Sequence, residues 1–453
     1  MNRIVIVGGS IAGSLAAAAA SRHADEVVVL ERDELPNEPV VRRGVPHGGQ
    51  FHALLARGLA AIETLVPGFE QDALAAGCHR ICVTRDIANH KRYGWAARPD
   101  SDITNILASR PMIEHLVRAR VRALPGVVFR EGVRVEGLVA GDNGHIAGVR
   151  TEGGVIAADL VVDASGRSSA TPQWLVELGH PAPEETEVDA RWGYASCQAR
   201  RPPGVHFGFE ALSALPLGVT ASGTPRTRGV AMWRQEGDDR WIVTAVGSAG
   251  DHPPSDAEGF RAFLASLPYP EVATTLDALE LELPARVWRR TVNRMRHYDH
   301  LSAPPAGLVV LGDAVAAFNP VYGQGMTVAA LEALDLRAEL EAHAAHGGPA
   351  AEHLPRCFHE RVARTVGYCW ELSTGADYRV EGVIGAGPPP DAVERRAFMD
   401  RVEGLSSEDP AVLVQLLETT QLIRTPEWLA EPGLRTRVRQ DWDRLGRLVD
   451  APA

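Results

Sequence analysis

The chain opens on four consecutive apolar residues, Ile4 to Val7, and turns through Gly8-Gly9-Ser10-Ile11-Ala12-Gly13 into an alanine-rich stretch at 14–21. A short apolar run bounded by glycine predicts a buried strand, and the alanine-rich stretch a helix packed closely on it. Residues 26–30, Glu-Val-Val-Val-Leu, predict a second buried strand ending at Glu31-Arg32. Helical spacing returns at 53–65 and 111–124. Strand patterns occupy 127–129 and 133–138, with a hairpin-like pair at 145–151 and 155–158. A further buried strand at 159–163 runs into Asp163-Ala164-Ser165-Gly166-Arg167. From about 185 to 300 the period changes to that of strands, at 190–198, 229–234, 240–247 and 286–293, with one helical pattern at 255–267. The apolar strand 308–311 leads through Gly312-Asp313 into a Pro- and Gly-rich loop. Beyond it the pattern is helical at 327–346, 355–374, 392–403, 410–422 and 436–448, with a loop at 385–390.

These elements predict an α/β fold. A Rossmann-like dinucleotide-binding domain is built from residues 1–184 and a return segment, 301–345. An antiparallel-sheet substrate domain, 185–300, is inserted between them, and a helical C-terminal region fills 346–453. At 453 residues the chain is too long for one ordinary core.

The first turn carries the chemistry of a dinucleotide fingerprint. Gly8 permits the tight turn and Gly13 close packing of helix on strand. The helix N-terminus faces a pyrophosphate, and Glu31 can accept hydrogen bonds from a ribose. Ser10 replaces the middle glycine. The late loop offers backbone N–H groups and a second helix N-terminus to an electron-rich group. The loop 42–52, with Arg43 and His47, is a polar, glycine-rich entry to a helix that can serve an active site or merely connect elements.

A formal net charge of -12 argues against a nucleic-acid binder. The five cysteines, Cys78, Cys82, Cys197, Cys357 and Cys369, are odd in number and scattered, as expected of a reduced, cytoplasmic protein. Cys78-His79 with Cys82, and Cys357 with His359, lack a four-ligand set at zinc spacing, so no metal is expected. No secretory signal and no bilayer-length apolar run is found.

Taken together, Gly8–Gly13 with Glu31, Asp163–Arg167, and Gly312-Asp313 with Pro320 to Gly325 resemble the flavin-dependent aromatic-hydroxylase superfamily, the single-component FAD-binding monooxygenases. The resemblance spans roughly residues 1–340. Arg43-Gly-Val-Pro46, Tyr93-Gly-Trp95, 240–244, Thr291–Arg294 with His297-Tyr-Asp299, and Ala317–Gly323 look closest to bacterial polyketide epoxidases that act before polyether ring closure.

The resemblance implies roles for individual residues. Gly8, Ser10, Ile11, Ala12 and Gly13 hold the FAD pyrophosphate. Glu31 holds the adenosine ribose, with Arg32 and Val135 beside the adenine. Arg43 and Arg110 contact the cofactor, Asp163 is structural or positions the cofactor and NAD(P)H, and Gly312 and Asp313 bind the ribityl chain. Pro320, Gly323, Gln324, Gly325 and Met326 line the isoalloxazine. Asn319, Pro320, Arg43 and His47 are the expected catalytic residues. The commonest superfamily loop has His where this chain has Asn319, and the second motif reads Asp-Ala-Ser without the usual Asp-Gly pair.

The implied activity is that of an epoxidase or hydroxylase. It uses FAD, NAD(P)H and molecular oxygen, and transfers oxygen from a flavin C4a-hydroperoxide to an apolar, polyketide-like molecule. The alternative is a cyclase that keeps FAD without redox turnover and shapes a polyene for ring closure. His47, His52 and His297 are candidates for proton handling, and Trp95, Trp233 and Trp288 for an apolar pocket wall. A hydrolase is not supported, because no Gly-x-Ser-x-Gly elbow follows a strand. Flavin halogenases share the implied fold, but neither their Trp-x-Trp-x-Ile-Pro segment nor a well-placed lysine is found.

Overall fold

A computed structural model gives the fold and describes residues 1–141, 144–216, 226–346 and 350–450. Its centre is a five-stranded sheet in the order Leu308–Val310, Leu160–Asp163, Arg3–Val7, Glu26–Leu30, Val127–Arg130, with every pairing parallel. The three middle strands are almost wholly apolar because helices cover both faces of such a sheet. Helix Ile11–Ala20 buries nearly every residue, and its alanines let helices Arg110–Arg122 and Gly325–His346 approach closely. The strands most distant in sequence, 3–7 and 308–310, flank 160–163 in this sheet. The Gly8 turn, the Asp163 turn and the Gly312 loop therefore meet at one carboxyl edge, where α/β sheets bind ligands.

The second large sheet has seven strands, in the order Glu280–Trp288, Gly193–Arg200, Arg240–Gly247, Arg228–Arg234, Ala211–Ala214, Ile87–Lys91, Gly94–Trp95. It is antiparallel except where Ala211–Ala214 runs parallel to Ile87–Lys91. The expected boundary at 184/185 therefore does not separate the two sheets: residues 87–95 leave the nucleotide-binding part and extend the sheet of the insertion. The single strand expected at 286–293 is two strands. The chain leaves the seven-stranded sheet at Trp288, passes through exposed Arg289 and Arg290, and joins a four-stranded sheet at Asn293–Arg296.

That smaller sheet orders Ala316–Ala317, Asn293–Arg296, Glu185–Asp189 and Ile384–Gly385. The expected loop at 385–390 thus contributes its first residue, Gly385, to an edge, where it pairs with Val188 while the preceding Ile384 pairs with Asp189. Helix Ala350–Asp377 runs through Pro355, so it begins earlier than expected. The expected helix 436–448 is broken into Pro432–Gln440 and Trp442–Asp450. Asp441 ends the first, and its carbonyl accepts from Leu445 N at 2.9 Å to begin the second. All five cysteines are free. Among the described residues no helix is long and apolar enough to cross a membrane.

Candidate active site

At the first turn Gly8 has φ +102°, and a Cβ there would lie 2.6 Å from the Ala164 carbonyl oxygen. A Cβ on Gly13 would lie 1.8 Å from the Gly8 oxygen. Neither position has room for a side chain, so the turn stays narrow and helix 11–20 points its first N–H groups out of it. Glu31 fixes the turn from the neighbouring strand. Its Oε2 accepts from Gly9 N at 2.9 Å and its Oε1 from Asp33 N at 3.0 Å. Val133 N donates to the Glu31 carbonyl at 2.9 Å, which brings half-buried Val135 to the same end, whereas Arg32 is exposed.

Arg110 stands at the start of helix Arg110–Arg122. It donates to Ser10 Oγ at 3.0 Å and pairs with Glu114 at 2.5 Å. Ser10 Oγ also donates to Glu114 at 3.1 Å. Arg42 is the second basic residue here. It pairs with Glu31 at 3.3 Å, Asp33 at 2.8 Å and Glu114 at 2.8 Å, with side-chain exposures of 8% for Arg42, 6% for Glu31 and 5% for Glu114. Burial alone would raise the Glu114 carboxyl, but Arg110 and Arg42 outweigh it and hold it down to about 2. Arg43, the neighbour expected in this role, is exposed.

At the other end, Gly312 has φ +67°, and a Cβ there would lie 3.0 Å from Ala12 Cβ, so the late loop touches the first. The Asp313 carboxylate accepts no hydrogen bond among the described residues. Burial raises it, against the charges of Arg167, Arg110 and Arg294. Gln324 Oε1 is buried without a donor. Open acceptors at Asp313 and Gln324, beside a turn only glycine can form, suit a ligand carrying a diphosphate at one end and hydroxyl and N–H donors along its length. These residues could therefore hold FAD. Asp163 lies behind this line. It is buried, and its oxygens accept from Ser165 N at 2.9 Å, Ser169 Oγ and Thr171 Oγ1 at 2.6 Å. It shapes its own turn rather than facing the cleft.

Asn319 is also hidden. It is fully buried, with Oδ1 accepting from Tyr194 OH and from Val321 N at 3.3 Å. Its Nδ2 donates to Asp377 at 3.2 Å, and its backbone N donates to Asn293 Oδ1 at 2.8 Å. Asp377 also receives Trp192 Nε1 at 2.8 Å, Asn293 Nδ2 at 2.6 Å and Tyr322 OH at 2.7 Å. Burial pushes Asp377 up to about 6, against the pull of these donors. Asn319, expected to be catalytic, thus positions the loop and has no free atom to present. Asp377, 58 residues further on and not anticipated from the sequence, anchors it.

In front of the loop lies a cavity of about 240 Å³. Pro320, Val321, Tyr322 and Gly323 form one wall, and His47, Phe51 and His52 another. The seven-stranded sheet supplies a floor that includes Tyr194, Trp233 and Val246. Burial, with Arg110 and neighbouring cations, lowers His47 to about 2; burial and Arg110 lower His52 to about 3. Both are neutral here. Trp233 and Trp288 line the cavity as expected. Trp95 instead packs against His90 and Tyr269, and His297 sits beside Thr186 and stacks on His300, away from this wall.

No family model matches the chain. Protein Rv3254 of Mycobacterium tuberculosis is 32% identical over 436 residues, covering 92% of this chain and 89% of that protein. Kynurenine 3-monooxygenase of Salinispora tropica is 27% identical over 369 residues, covering 75% of this chain and 73% of that one. The chain belongs to the FAD-dependent monooxygenases of the aromatic-hydroxylase type.

Solved structures share the fold of this monooxygenase. PqsL of Pseudomonas aeruginosa, a probable FAD-dependent monooxygenase, superposes with TM-score 0.57 at 17% identity, covering 83% of this chain and 98% of its own. The Diels-Alderase PyrE3 of pyrroindomycin biosynthesis superposes with TM-score 0.61 at 19% identity, covering 93% and 80%. The monooxygenase uses FAD and a nicotinamide reductant. The sequence holds one lysine, Lys91, and it lies on the cavity wall. Its strand, Ile-Ala-Asn-His-Lys, is too polar to read as part of a sheet floor.

Proposed function

We propose that this monooxygenase adds one oxygen atom to an apolar natural-product molecule, as an epoxidase or a hydroxylase, inside the cytoplasm. The observation that carries the reading is the cavity itself: largely apolar, and walled on one side by Pro320 to Gly323 of the loop expected to meet the flavin ring. When bound, FAD reduced by NAD(P)H supplies activated oxygen. The protein's own residues do the rest. Tyr322 and Tyr194 hold the loop still through Asp377 and Asn319. Phe51, Trp233 and Trp288 exclude water from the substrate. The N-terminal end of helix Gly325–His346 favours negative charge on the ring. Epoxidation needs no strong base from the protein, in keeping with the neutral His47 and His52.

The non-redox cyclase is the second reading. It is favoured by the departure at Asp163-Ala164-Ser165 and by the fold shared with PyrE3. Turnover of a polyene substrate under labelled oxygen, with and without NADPH, separates the two. Labelled product formed only with NADPH supports the monooxygenase. Unlabelled product of unchanged mass, formed anaerobically without NADPH, supports the cyclase.

A further inference from the structure

Lys91 is the only lysine in the sequence, every other basic chain position being arginine or histidine. It ends the strand Ile87–Lys91, whose alternate residues Ile87, Asn89 and Lys91 line the cavity, while His90 turns the other way, onto Trp95 and Tyr269. Among the described residues no aspartate or glutamate lines this cavity, and Lys91 is the only lysine or arginine on its wall. Among the described residues its ammonium makes no ion pair and no hydrogen bond. The segment 217–225, which follows Pro216, also contains no acid in its sequence.

Most of the other polar side chains of the wall are already committed. Gln50 donates to Arg286 O at 2.9 Å and accepts from Ser196 Oγ at 2.7 Å. Gln421 accepts from Ala56 N at 2.9 Å, and Asn105 from Ile106 N at 2.8 Å. Tyr194 and Tyr322 are held by Asn319 and Asp377. Against this background Asn89 and Ser213, paired across neighbouring strands, have no side-chain hydrogen bond among the described residues and lie on the same wall as Lys91. One end of an otherwise apolar cavity thus offers an unpaired cation and two neutral hydrogen-bonding groups. A half-buried cation without a partner is costly, and an anion placed against it there interacts more strongly than in open water.

We propose that Lys91, with Asn89 and Ser213, recognises a single anionic oxygen group, a carboxylate or ionised enol, on a substrate that is otherwise apolar. This deepens the oxygenase reading and rests on its assignment of the cavity to the substrate. Recognition can be measured without reductant or turnover, so its failure would leave the oxygen-transfer reading standing, and the reverse. The probe is cis-parinaric acid, a fluorescent polyene carboxylate, set against its methyl ester and titrated into the FAD-loaded protein.

The acid should bind about tenfold more tightly than the ester. Lys91→Met should abolish that preference while keeping the FAD content, and Lys91→Arg should retain most of it. A measurement on the unmodified chain guards against a variant that misfolds. Because Lys91 is the only side-chain amine, its acetylation by an activated ester, followed by mass spectrometry, should slow when the acid is bound and not when the ester is bound. Equal affinity for acid and ester, a preference that survives Lys91→Met, or acetylation unaffected by the acid would each overturn the proposal.

Discussion

Tyr322 donates a 2.7 Å hydrogen bond to Asp377, joining the loop in front of the cavity to the last residue of helix Ala350–Asp377. Among the described residues the Asp377 carboxylate accepts from four side chains, Trp192, Asn293, Asn319 and Tyr322. Asp377→Ala would leave those donors buried without a partner. Its expected cost is about 3 kcal/mol in urea unfolding of the FAD-loaded protein, against about 1 kcal/mol for Tyr322→Phe, which removes one donor and strands less. Equal small losses in both variants would show that Asp377 is not the anchor.

Arg42 and Arg43 are adjacent in sequence and opposite in environment. Arg42→Ala would leave Glu31, Asp33 and Glu114 without their shared cation and should destabilise the protein by about 3 kcal/mol. Arg43→Ala, at an exposed position, should change stability by no more than about 0.5 kcal/mol. Chemical unfolding of the two variants decides, and a reversed order would contradict the placement.

Gly13→Ala puts a methyl group where the Gly8 carbonyl oxygen already lies, 1.8 Å away. The turn must open, and the helix N-terminus with it. The purified variant should carry little FAD, read from its flavin absorbance relative to protein. Full loading would mean that the turn does not hold the cofactor.

Glu332 is fully buried beneath the late loop, with Oε2 accepting from Gly312 N and Oε1 unpartnered. Burial raises its carboxyl from 4.5 to about 8. The folded state therefore holds this proton more tightly than the unfolded chain does. The contribution is fully present below pH 4.5 and is lost as pH rises through about 8. Between pH 7 and pH 9 the protein should lose about 1 kcal/mol of stability from this group alone. Glu332→Gln should remove that part of the slope in unfolding measured across the range. An unchanged slope would place the titration elsewhere.

Much of the nucleotide-binding half was legible because its signals are local. A strand of four apolar residues, a glycine turn and an alanine-rich helix constrain one another within about 20 residues. The same holds for Glu31 at the end of the second strand. The rest depended on contacts across the chain. Residues 87–91 carry no clear alternation, and only pairing with Ala211–Ala214 makes them part of the floor. Asp377 is an unremarkable acid in a helical pattern until the fold brings it beneath Asn319. Arg42 and Arg43 look alike in sequence, and only the backbone between Val40 and Val45 decides which one turns inward. Lys91 gains its meaning from the company it keeps on the cavity wall, where the described lining holds no acid, and no pattern local to Lys91 reports that.

The most direct test of the oxygenase reading is mass spectrometry of product formed by the FAD-loaded protein with NADPH, a polyene substrate and oxygen-18 gas. The account predicts one labelled oxygen atom in the product, dependent on NADPH. A product of unchanged mass and without label, formed equally well in the absence of oxygen and NADPH, would contradict it.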